Sequence, residues 1–161
     1  MTEKINHRPS WDEFFSQIAK LVAKRSTCLR RNIGSVLVKD RQILATGYNG
    51  APRGMSHCLE IGCLRDELKI PSGTRLEMCR AVHGEINAII QCASHGVETR
   101  GSELYVTAHP CKICSRIIVN AGIERVVICG EYSDKDGIDI LQEAGIKVDY
   151  INLGDTTAIS D

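Results

Sequence analysis

Two short motifs in the sequence combine residue types that bind metals and move protons. The first is His83-Gly84-Glu85, and the second is the stretch 110–114, Pro-Cys-Lys-Ile-Cys. One imidazole and two thiolates form a tetrahedral zinc site whose fourth position is open to water. Zinc in such a site lowers the pKa of its water to about 7. We therefore predict a catalytic zinc held by His83, Cys111 and Cys114.

Neither motif is specific alone. A Cys-x-x-Cys pair also occurs in thioredoxin-like redox proteins, and a single histidine at a helix start is more often a cap than a ligand. Here Glu85 and Cys111 are 26 residues apart, and each motif opens a predicted helix. The exposed N–H groups and the positive dipole of a helix start favour thiolate over thiol. The combination matches the H-x-E and P-C-x-x-C signature of zinc nucleobase deaminases.

Glu85 is the candidate acid–base group. It lies two residues after His83, which is roughly 200° around a helix, so it cannot be a ligand on the same face. At a helix N-terminus both side chains can still converge on one pocket. We predict that Glu85 carries protons between water, the ring nitrogen and the leaving amine. The alternative is a first-turn glutamate that only complements the helix dipole.

Alternating helices and strands are predicted to position these motifs. Ser10 and Glu13 form a capping box before an apolar helical pattern, and 33–38 and 43–48 form a hairpin around residues 39–41. Downstream we predict a helix from 83 that ends at Gly96, strand 104–107, helix 110–120, strand 125–129, helix 138–144 and strand 148–151. This order implies crossover connections and a sheet covered on both faces.

The predicted organisation is a single domain over residues 1–161. Within it, residues 49–80 are rich in Gly, Pro, Cys and charge, so we expect short elements held by something other than a core. Residues 154–161 are expected to be a mobile tail. Cys92 and Cys129 occupy apolar helix and strand positions and are expected in the core.

Composition excludes several classes of protein. Lys+Arg and Asp+Glu number 20 each, whereas a protein that grips long nucleic acid carries an excess of cations. No stretch reaches the roughly 18 apolar residues of a membrane span, and the N-terminus lacks a signal-like apolar run. We therefore expect a cytoplasmic protein with reduced thiols, in which the eight cysteines indicate metal binding rather than disulfides.

The sequence resembles the cytidine and deoxycytidylate deaminase superfamily, and within it most closely the deoxycytidylate (dCMP) deaminases, from about residue 14 to residue 148. Besides the two motifs, the resemblance lies in Ser-Thr-Cys-Leu-Arg-Arg at 26–31, Gly-Tyr-Asn-Gly-Ala-Pro-Arg-Gly at 47–54, and Tyr132. It implies an α/β fold with three α-β-α layers and a central mixed sheet of about five strands. It also implies zinc-dependent hydrolysis of dCMP to dUMP and ammonia, which feeds dTMP synthesis.

Site residues and partners follow from the same resemblance. Asn49 is expected to contact the deoxyribose, while Tyr132, Arg30 and Arg31 are expected around the phosphate. Relatives bind dCTP as activator and dTTP as inhibitor, and they are commonly homo-oligomers, often hexamers. We expect no membrane and no long nucleic acid among the partners.

A second zinc is a further hypothesis. Some dCMP deaminases carry an additional zinc with ligands at positions matching Cys28 and Cys58. We predict a structural four-cysteine site of Cys28, Cys58, Cys63 and Cys79, with His57 as an alternative ligand. A closed four-ligand site would explain how so polar a segment stays ordered. The alternative is four unlinked buried thiols.

Gly84 departs from the resembling family, which usually has alanine between the histidine and the glutamate. The change is either neutral or opens the pocket floor for a 5-substituted cytosine.

Three more functions are compatible with the two motifs: a tRNA or polynucleotide deaminase, a nucleoside deaminase, and a zinc-stabilised regulatory subunit without activity. Zero net charge opposes the polynucleotide deaminase, because such an enzyme has many phosphates to neutralise. The arginines near residue 30 suit a phosphate and so oppose the nucleoside deaminase. The intact Glu85 opposes a subunit that has lost catalysis.

Overall fold

The computed structural model describes residues 8–130 and 136–154. In chain order its elements are α1 (Trp11–Ala23), β1 (Gly34–Lys39), β2 (Gln42–Tyr48), α2 (Cys58–Ile61), α3 (Leu64–Glu67), a 3-10 turn (Leu76–Met78), α4 (Gly84–Ser94), β3 (Glu103–Val106), α5 (Lys112–Asn120), β4 (Arg125–Ile128), α6 (Ile138–Glu143) and β5 (Lys147–Tyr150). Within the described ranges, no helix has both the length and the apolar character needed to span a bilayer.

The five strands form one sheet in the order β2-β1-β3-β4-β5. Strand β1 is antiparallel to both β2 and β3, whereas β3, β4 and β5 run parallel to one another. Helices α5 and α6 connect the parallel strands, as a parallel pair requires a crossover. The predicted mixed sheet of about five strands is confirmed.

Helices cover both faces of the sheet, which confirms the three-layer prediction. On one face α1 packs Phe15 and Ala19 against strand residues that include Val36 and Tyr105. On the other face α4, α5 and α6 pack against strand residues at the alternate positions, such as Leu37. Successive strand residues point to opposite faces, and in β1, β3 and β4 both faces are apolar. The prediction that Cys92 and Cys129 lie in the core is confirmed, since both are buried.

Local sequence signals explain the first elements. The Ser10 hydroxyl accepts a hydrogen bond from the Glu13 N–H at 3.2 Å, and the Glu13 carboxylate accepts one from the Ser10 N–H at 2.6 Å. This is the predicted capping box of α1. Between β1 and β2, Asp40 and Arg41 both have positive φ, as a tight two-residue hairpin turn requires.

The irregular segment contains short elements, as predicted. Helices α2 and α3 and the 3-10 turn lie within it, and Gly50 pairs with Val82 across its ends. The predicted start of α5 at Pro110 is wrong. That helix begins at Lys112 because Cys111 is its N-cap and accepts a hydrogen bond from the Cys114 N–H. The predicted mobile tail lies outside the described residues apart from Gly154.

Candidate metal centre and active-site cavity

The two motifs meet at the start of two neighbouring helices. His83 is the N-cap of α4, Cys111 is the N-cap of α5, and Cys114 lies in the first turn of α5. The His83 Nδ1 atom is 3.6 Å from Cys111 Sγ and 3.3 Å from Cys114 Sγ. One ligand atom from each residue lies within 4.8 Å of the other two. The structure thus brings together the three residues that the sequence predicts as zinc ligands.

The fold places these ligands at the carboxyl end of a parallel strand. Helix α5 follows β3 through a short loop, and α4 packs against β1 and β2 next to it. In α/β sheets this edge is where ligands bind. Because Cys111 and His83 are N-caps, their side chains project beyond the helix ends while their backbones stay rigid.

Hydrogen bonds among the three candidate ligands shift their pKa values. Hydrogen bonding with Cys114 and with His83 lowers the pKa of Cys111 to about 4, although burial opposes this. Hydrogen bonding with Cys111 raises the pKa of His83, although burial opposes that rise. The Cys111 hydrogen bond, followed by burial, raises the pKa of Cys114. These hydrogen bonds favour the thiolate form of Cys111, which is the form of cysteine that binds metals.

Glu85 lies beside this cluster and is 2% exposed. Its Oε2 atom is buried and makes no hydrogen bond to any residue that the structure describes. Burial raises the pKa of this carboxyl group, which outweighs the opposing charge of His83. A buried carboxyl group with a raised pKa and a free oxygen is suited to hold and release a proton during a reaction.

The donor set fits zinc better than a hard cation. One imidazole nitrogen and two sulfurs are ligands that zinc prefers, whereas Mg²⁺ and Ca²⁺ prefer oxygen. Three protein ligands are one fewer than a closed structural site has, and the unpartnered Glu85 oxygen lies next to them. The residues therefore fit a catalytic rather than a structural zinc.

A cavity of about 470 Å³ opens next to this cluster. Its volume lies in the range of small-molecule sites, which is about 300–1,000 Å³. His83, Glu85 and Cys111 line it, and four arginines line it as well: Arg30, Arg31, Arg65 and Arg80. The cavity therefore combines a metal-ligand cluster with positive charge.

Asn49 also lines the cavity and is 5% exposed. Its Oδ1 accepts hydrogen bonds from the Ser26 hydroxyl at 2.5 Å and from the Ile33 N–H at 2.9 Å. Its Nδ2 donates to the Arg31 carbonyl at 2.9 Å. These contacts fix the orientation of the amide and leave one N–H available to a ligand. The predicted sugar contact stays a prediction.

Arg30 and Arg31 reach the cavity but are tied to the loop after α3. Arg30 forms an ion pair with Asp66 at 3.1 Å and donates to the Ile70 carbonyl at 2.9 Å. Arg31 donates to the Ser72 hydroxyl at 2.8 Å. The third predicted phosphate residue, Tyr132, lies outside the described residues.

Sequence reasoning missed Arg65 and Ser26. Arg65 lies in the irregular segment, where a single arginine carries no pattern, and only folding brings it to the cavity wall. Ser26 belongs to the stretch that carries the resemblance, but its bond to Asn49 joins positions 23 residues apart. No periodicity or motif spacing could have indicated either contact.

The four cysteines of the predicted second site line the same cavity. Cys58 and Cys63 are buried, while Cys28 and Cys79 are half-buried. Burial, and then the other three thiols, raise the pKa of Cys58. Over the described ranges, however, no three of these sulfurs come within 4.8 Å of one another as the His83 cluster does. The His57 Nδ1 atom is 2.9 Å from the Thr27 hydroxyl.

Gly84 faces the sheet rather than the cavity. A Cβ atom added here would lie 3.1 Å from the Gly47 carbonyl oxygen and 3.3 Å from that of Ile33. A Cβ atom on Gly47 would meet the Gly84 carbonyl oxygen and the Ala88 N–H at less than 2.5 Å. The two glycines therefore allow α4 to approach β2 closely, and the geometry gives no support to a pocket enlarged at Gly84.

Comparison with known families matches residues 9–130 to the cytidine and deoxycytidylate deaminase zinc-binding region. A deoxycytidylate deaminase of Mycobacterium phage D29 is 44% identical over 125 residues, which cover 74% of this chain and 94% of that protein. A deoxycytidylate deaminase of Schizosaccharomyces pombe is 40% identical over 142 residues, which cover 88% of this chain. The match spans only 44% of the yeast protein.

A solved structure shows a similar fold. The dCMP deaminase of cyanophage S-TIM5, in complex with dCMP and dUMP, superposes with a TM-score of 0.74 at 34% identity. The match covers 91% of this chain and all of that one. The sheet, the helices on both of its faces and the sequence similarity agree with one another.

Proposed function

We propose that this chain hydrolyses dCMP to dUMP and ammonia. The premise is that the chain belongs to the cytidine and deoxycytidylate deaminase family. The observation that carries the proposal is the convergence of His83, Cys111 and Cys114 on the buried Glu85 at the cavity wall. The relatives from the mycobacteriophage and from yeast bear the name deoxycytidylate deaminase. The S-TIM5 enzyme binds dCMP and dUMP.

His83, Cys111 and Cys114 would hold one catalytic zinc ion. When bound, zinc supplies the Lewis acidity that activates water for attack on the base at neutral pH. The helix starts hold the three ligands on rigid backbone, and the low pKa of Cys111 supplies a thiolate without a large proton cost.

Glu85 moves the protons of the reaction. Its carboxylate takes a proton from the attacking water, delivers it to N3 of the pyrimidine and then helps to protonate the leaving amine. Burial suits it to this sequence of proton transfers, because it raises the pKa of the carboxyl group and so favours its protonated form. The cavity wall shields the carboxyl group from bulk water and so preserves that shift.

Asn49, Arg30 and Arg31 bind the rest of the nucleotide. The free N–H of Asn49 donates to an oxygen of the deoxyribose, since its Oδ1 is already engaged by Ser26 and Ile33. Arg30 and Arg31 contribute positive charge for the phosphate, and Tyr132 joins them there. A neutral chain can still carry such a local cationic site.

We extend the proposal to the enzyme's setting. The product dUMP feeds the synthesis of dTMP, and dCTP and dTTP regulate the enzyme in opposite directions. The active form is a cytoplasmic homo-oligomer, which would supply the coupled sites that such regulation needs. All eight cysteines are free thiols, as a reducing compartment favours.

Cys28, Cys58, Cys63 and Cys79 hold a second, structural zinc in our proposal. Support comes from their common cavity wall and from the mutual charge interactions at Cys58. Their sulfurs would have to move closer together around the ion. Cys58 begins α2, Cys63 caps α3 and Cys79 follows the 3-10 turn, so this movement would shift these short elements relative to one another. His57 is the alternative ligand.

Isotope labelling tests the proposed reaction. Hydrolysis of dCMP in H₂¹⁸O should place one ¹⁸O atom at C4 of dUMP and release one ammonia per product. Mass spectrometry of the nucleotide and an ammonia assay measure both. Loss of dCMP without ammonia, or product without the label, would contradict hydrolytic deamination.

A further inference from the structure

Arg65 is a buried cation that forms no ion pair with any described carboxylate, although Glu77 is near enough to feel its charge. Arg65 is 7% exposed, and its Nη2 atom donates to the carbonyls of Pro71 at 3.1 Å and Thr74 at 2.7 Å. Its Nε atom is buried and makes no hydrogen bond to a described residue. Across the described residues, no carboxylate lies within 4.0 Å of its guanidinium. The positive charge of Arg65 is therefore hydrogen-bonded only to two neutral carbonyl groups among the described residues.

Arg125, which is half-buried, shows how the same protein pairs another arginine that is partly withdrawn from water. Its guanidinium forms ion pairs with Asp12 at 2.7 Å, Glu103 at 2.9 Å and Asp149 at 2.6 Å. Arginine is rarely buried unless it is paired, because taking an unpaired charge out of water is costly. Among the described residues Arg65 lacks such a pair, so its guanidinium is suited to bind an anion from outside the chain.

The position of Arg65 indicates where that anion binds. Arg65 lines the same cavity as His83, Glu85 and Asn49. Arg30 lines this cavity as well, and its Nη1 atom is also buried without a hydrogen-bond partner among the described residues. Two guanidinium groups with unused donors therefore border the space in which the substrate would bind.

The loop after α3 holds these two arginines in place. Its backbone carbonyls at Ile70, Pro71 and Thr74 accept hydrogen bonds from Arg30 and Arg65. Such fixed guanidinium groups need little reorganisation to bind a doubly charged oxyanion. A phosphate monoester matches the charge and the multiple acceptors that they require.

We propose that Arg65 is a specificity-determining residue that, with Arg30, recognises the 5′-phosphate and makes the enzyme prefer nucleotides over nucleosides. This inference rests on the proposed function, because it assigns a role within the dCMP site. It gives the irregular segment a function in addition to any metal that it binds: the segment carries one phosphate ligand and positions another.

The test compares R65Q with R75Q. Both remove one positive charge from the same segment, but Arg75 is exposed, pairs with Glu77 and is not part of the cavity wall. R65Q should lower kcat/KM for dCMP by about 10- to 100-fold, mainly through KM, as expected for charge-assisted bonds to phosphate. Activity on deoxycytidine, which has no phosphate, should change less than about threefold. R75Q should leave both substrates unaffected.

Binding of dUMP and deoxyuridine, measured by calorimetry, separates this inference from the proposed reaction. Wild-type protein should bind dUMP more tightly than deoxyuridine, and R65Q should lose most of that difference even if neither variant turned over dCMP. Equal losses for phosphorylated and unphosphorylated ligands would show that Arg65 only holds the loop, which would overturn the inference. If R65Q does not fold, R65K replaces it in the test. R65K keeps the positive charge, so it should keep most of the preference for dUMP over deoxyuridine. Loss of that preference in folded R65K would overturn the inference.

Discussion

Glu85 is the residue on which the chemistry depends. Its carboxyl group is buried, its pKa is raised by burial, and its Oε2 atom has no hydrogen-bond partner among the described residues. Leaving such a group unpaired costs about 1–3 kcal/mol. A cost of this kind at a cavity wall indicates function rather than stability.

The substitution Glu85→Gln tests that role. It keeps the size of the side chain but removes the proton-transfer group, so we expect kcat for dCMP to fall by about 10²–10⁴-fold with an unchanged fold. The exposed E98Q is the matched control, since Glu98 only pairs with Lys39 at the surface. Steady-state kinetics with circular dichroism measures both properties. Full activity in folded E85Q would show that Glu85 is a helix-start residue only.

The substitution Gly84→Ala tests the close contact of α4 with β2. The added Cβ meets two backbone oxygens at 3.1 and 3.3 Å, which opposes the gain of about 1 kcal/mol in helix propensity. We expect a net stability change within about 1 kcal/mol and an unchanged ratio of activities on 5-methyl-dCMP and dCMP.

Thermal unfolding and paired kinetic assays measure these two quantities. S94A is the control, because it raises helix propensity at the other end of α4 without approaching β2. A ratio that shifts several-fold in G84A alone would mean that position 84 does shape the base pocket.

The residues of the site differ in how well the sequence could predict them. His83, Cys111 and Cys114 were predictable because each ligand lies at or near a helix start, so chain spacing and chemistry agree. Arg65 was not, because only the three-dimensional structure shows that it is buried at the cavity and forms no ion pair with a described carboxylate. Asn49 was indicated by resemblance, but the fixed orientation of its amide comes from Ser26 and Ile33.

At the scale of elements, Arg125 joins α1 to the parallel half of the sheet. Asp12 lies in the first turn of α1, while Glu103 and Asp149 lie on β3 and β5 on either side of β4. The Tyr105 hydroxyl also donates to Asp12 at 2.8 Å. This ion-pair cluster fixes the N-terminal helix on the face opposite α4 and α5.

The acid dependence of stability tests this cluster. The Arg125 hydrogen bond lowers the pKa of Asp12, and for Asp149 the bonds from Arg125 and Lys147 outweigh the effect of burial and lower its pKa too. A carboxyl group with a depressed folded pKa stabilises the protein fully above its unfolded pKa near 4 and ceases to do so as pH falls through the folded value.

We therefore expect D12N to be less stable than wild type by about 1 kcal/mol at pH 7. This value is small because Asp12 is partly exposed to solvent. The difference in stability should shrink below pH 4. Urea unfolding at pH 7, 5 and 3 measures it. D40N, in the exposed hairpin turn, is the control. A difference that stays constant with pH would mean that the carboxylate charge of Asp12 does not matter.

The elements themselves were largely predictable. The capping box at Ser10, the two-residue turn at Asp40 and Arg41, and the glycine at position 96 with positive φ are local signals. The start of α5 was misplaced because Pro110 favours a first helical position, whereas the Cys111 side chain caps the helix one residue later. The interior of residues 49–80 lacked any periodicity from which its short helices could be read.

At the scale of the whole molecule, the zinc content distinguishes one metal site from two. We expect two zinc ions per chain in wild type and one in the double variant Cys63→Ser/Cys79→Ser. Even with His57 as a ligand, that variant keeps only three of the four ligands that a structural zinc has. Metal analysis by mass spectrometry measures the ratio. The control is C129A, whose thiol is buried in the core beneath α1. One zinc in the wild-type protein would rule the second site out.

The order of the strands was less accessible to sequence reasoning than their number. Strand β1 lies between β2 and β3, so the hairpin is joined to the parallel strands by the antiparallel pairing of β1 with β3. Period-2 patterns identify strands but not their neighbours. The single-domain organisation over residues 1–161 stays a prediction.

The most direct test of the proposed function is the change in ultraviolet absorbance when purified zinc-loaded protein is mixed with dCMP, alongside deoxycytidine and CMP. We expect rapid conversion of dCMP and much slower conversion of the other two. Deoxycytidine lacks the 5′-phosphate for which the cavity has a cationic wall, and CMP adds a 2′-hydroxyl beside the sugar site proposed at Asn49. Absence of dCMP conversion, with dCTP and zinc supplied, would contradict the proposed function.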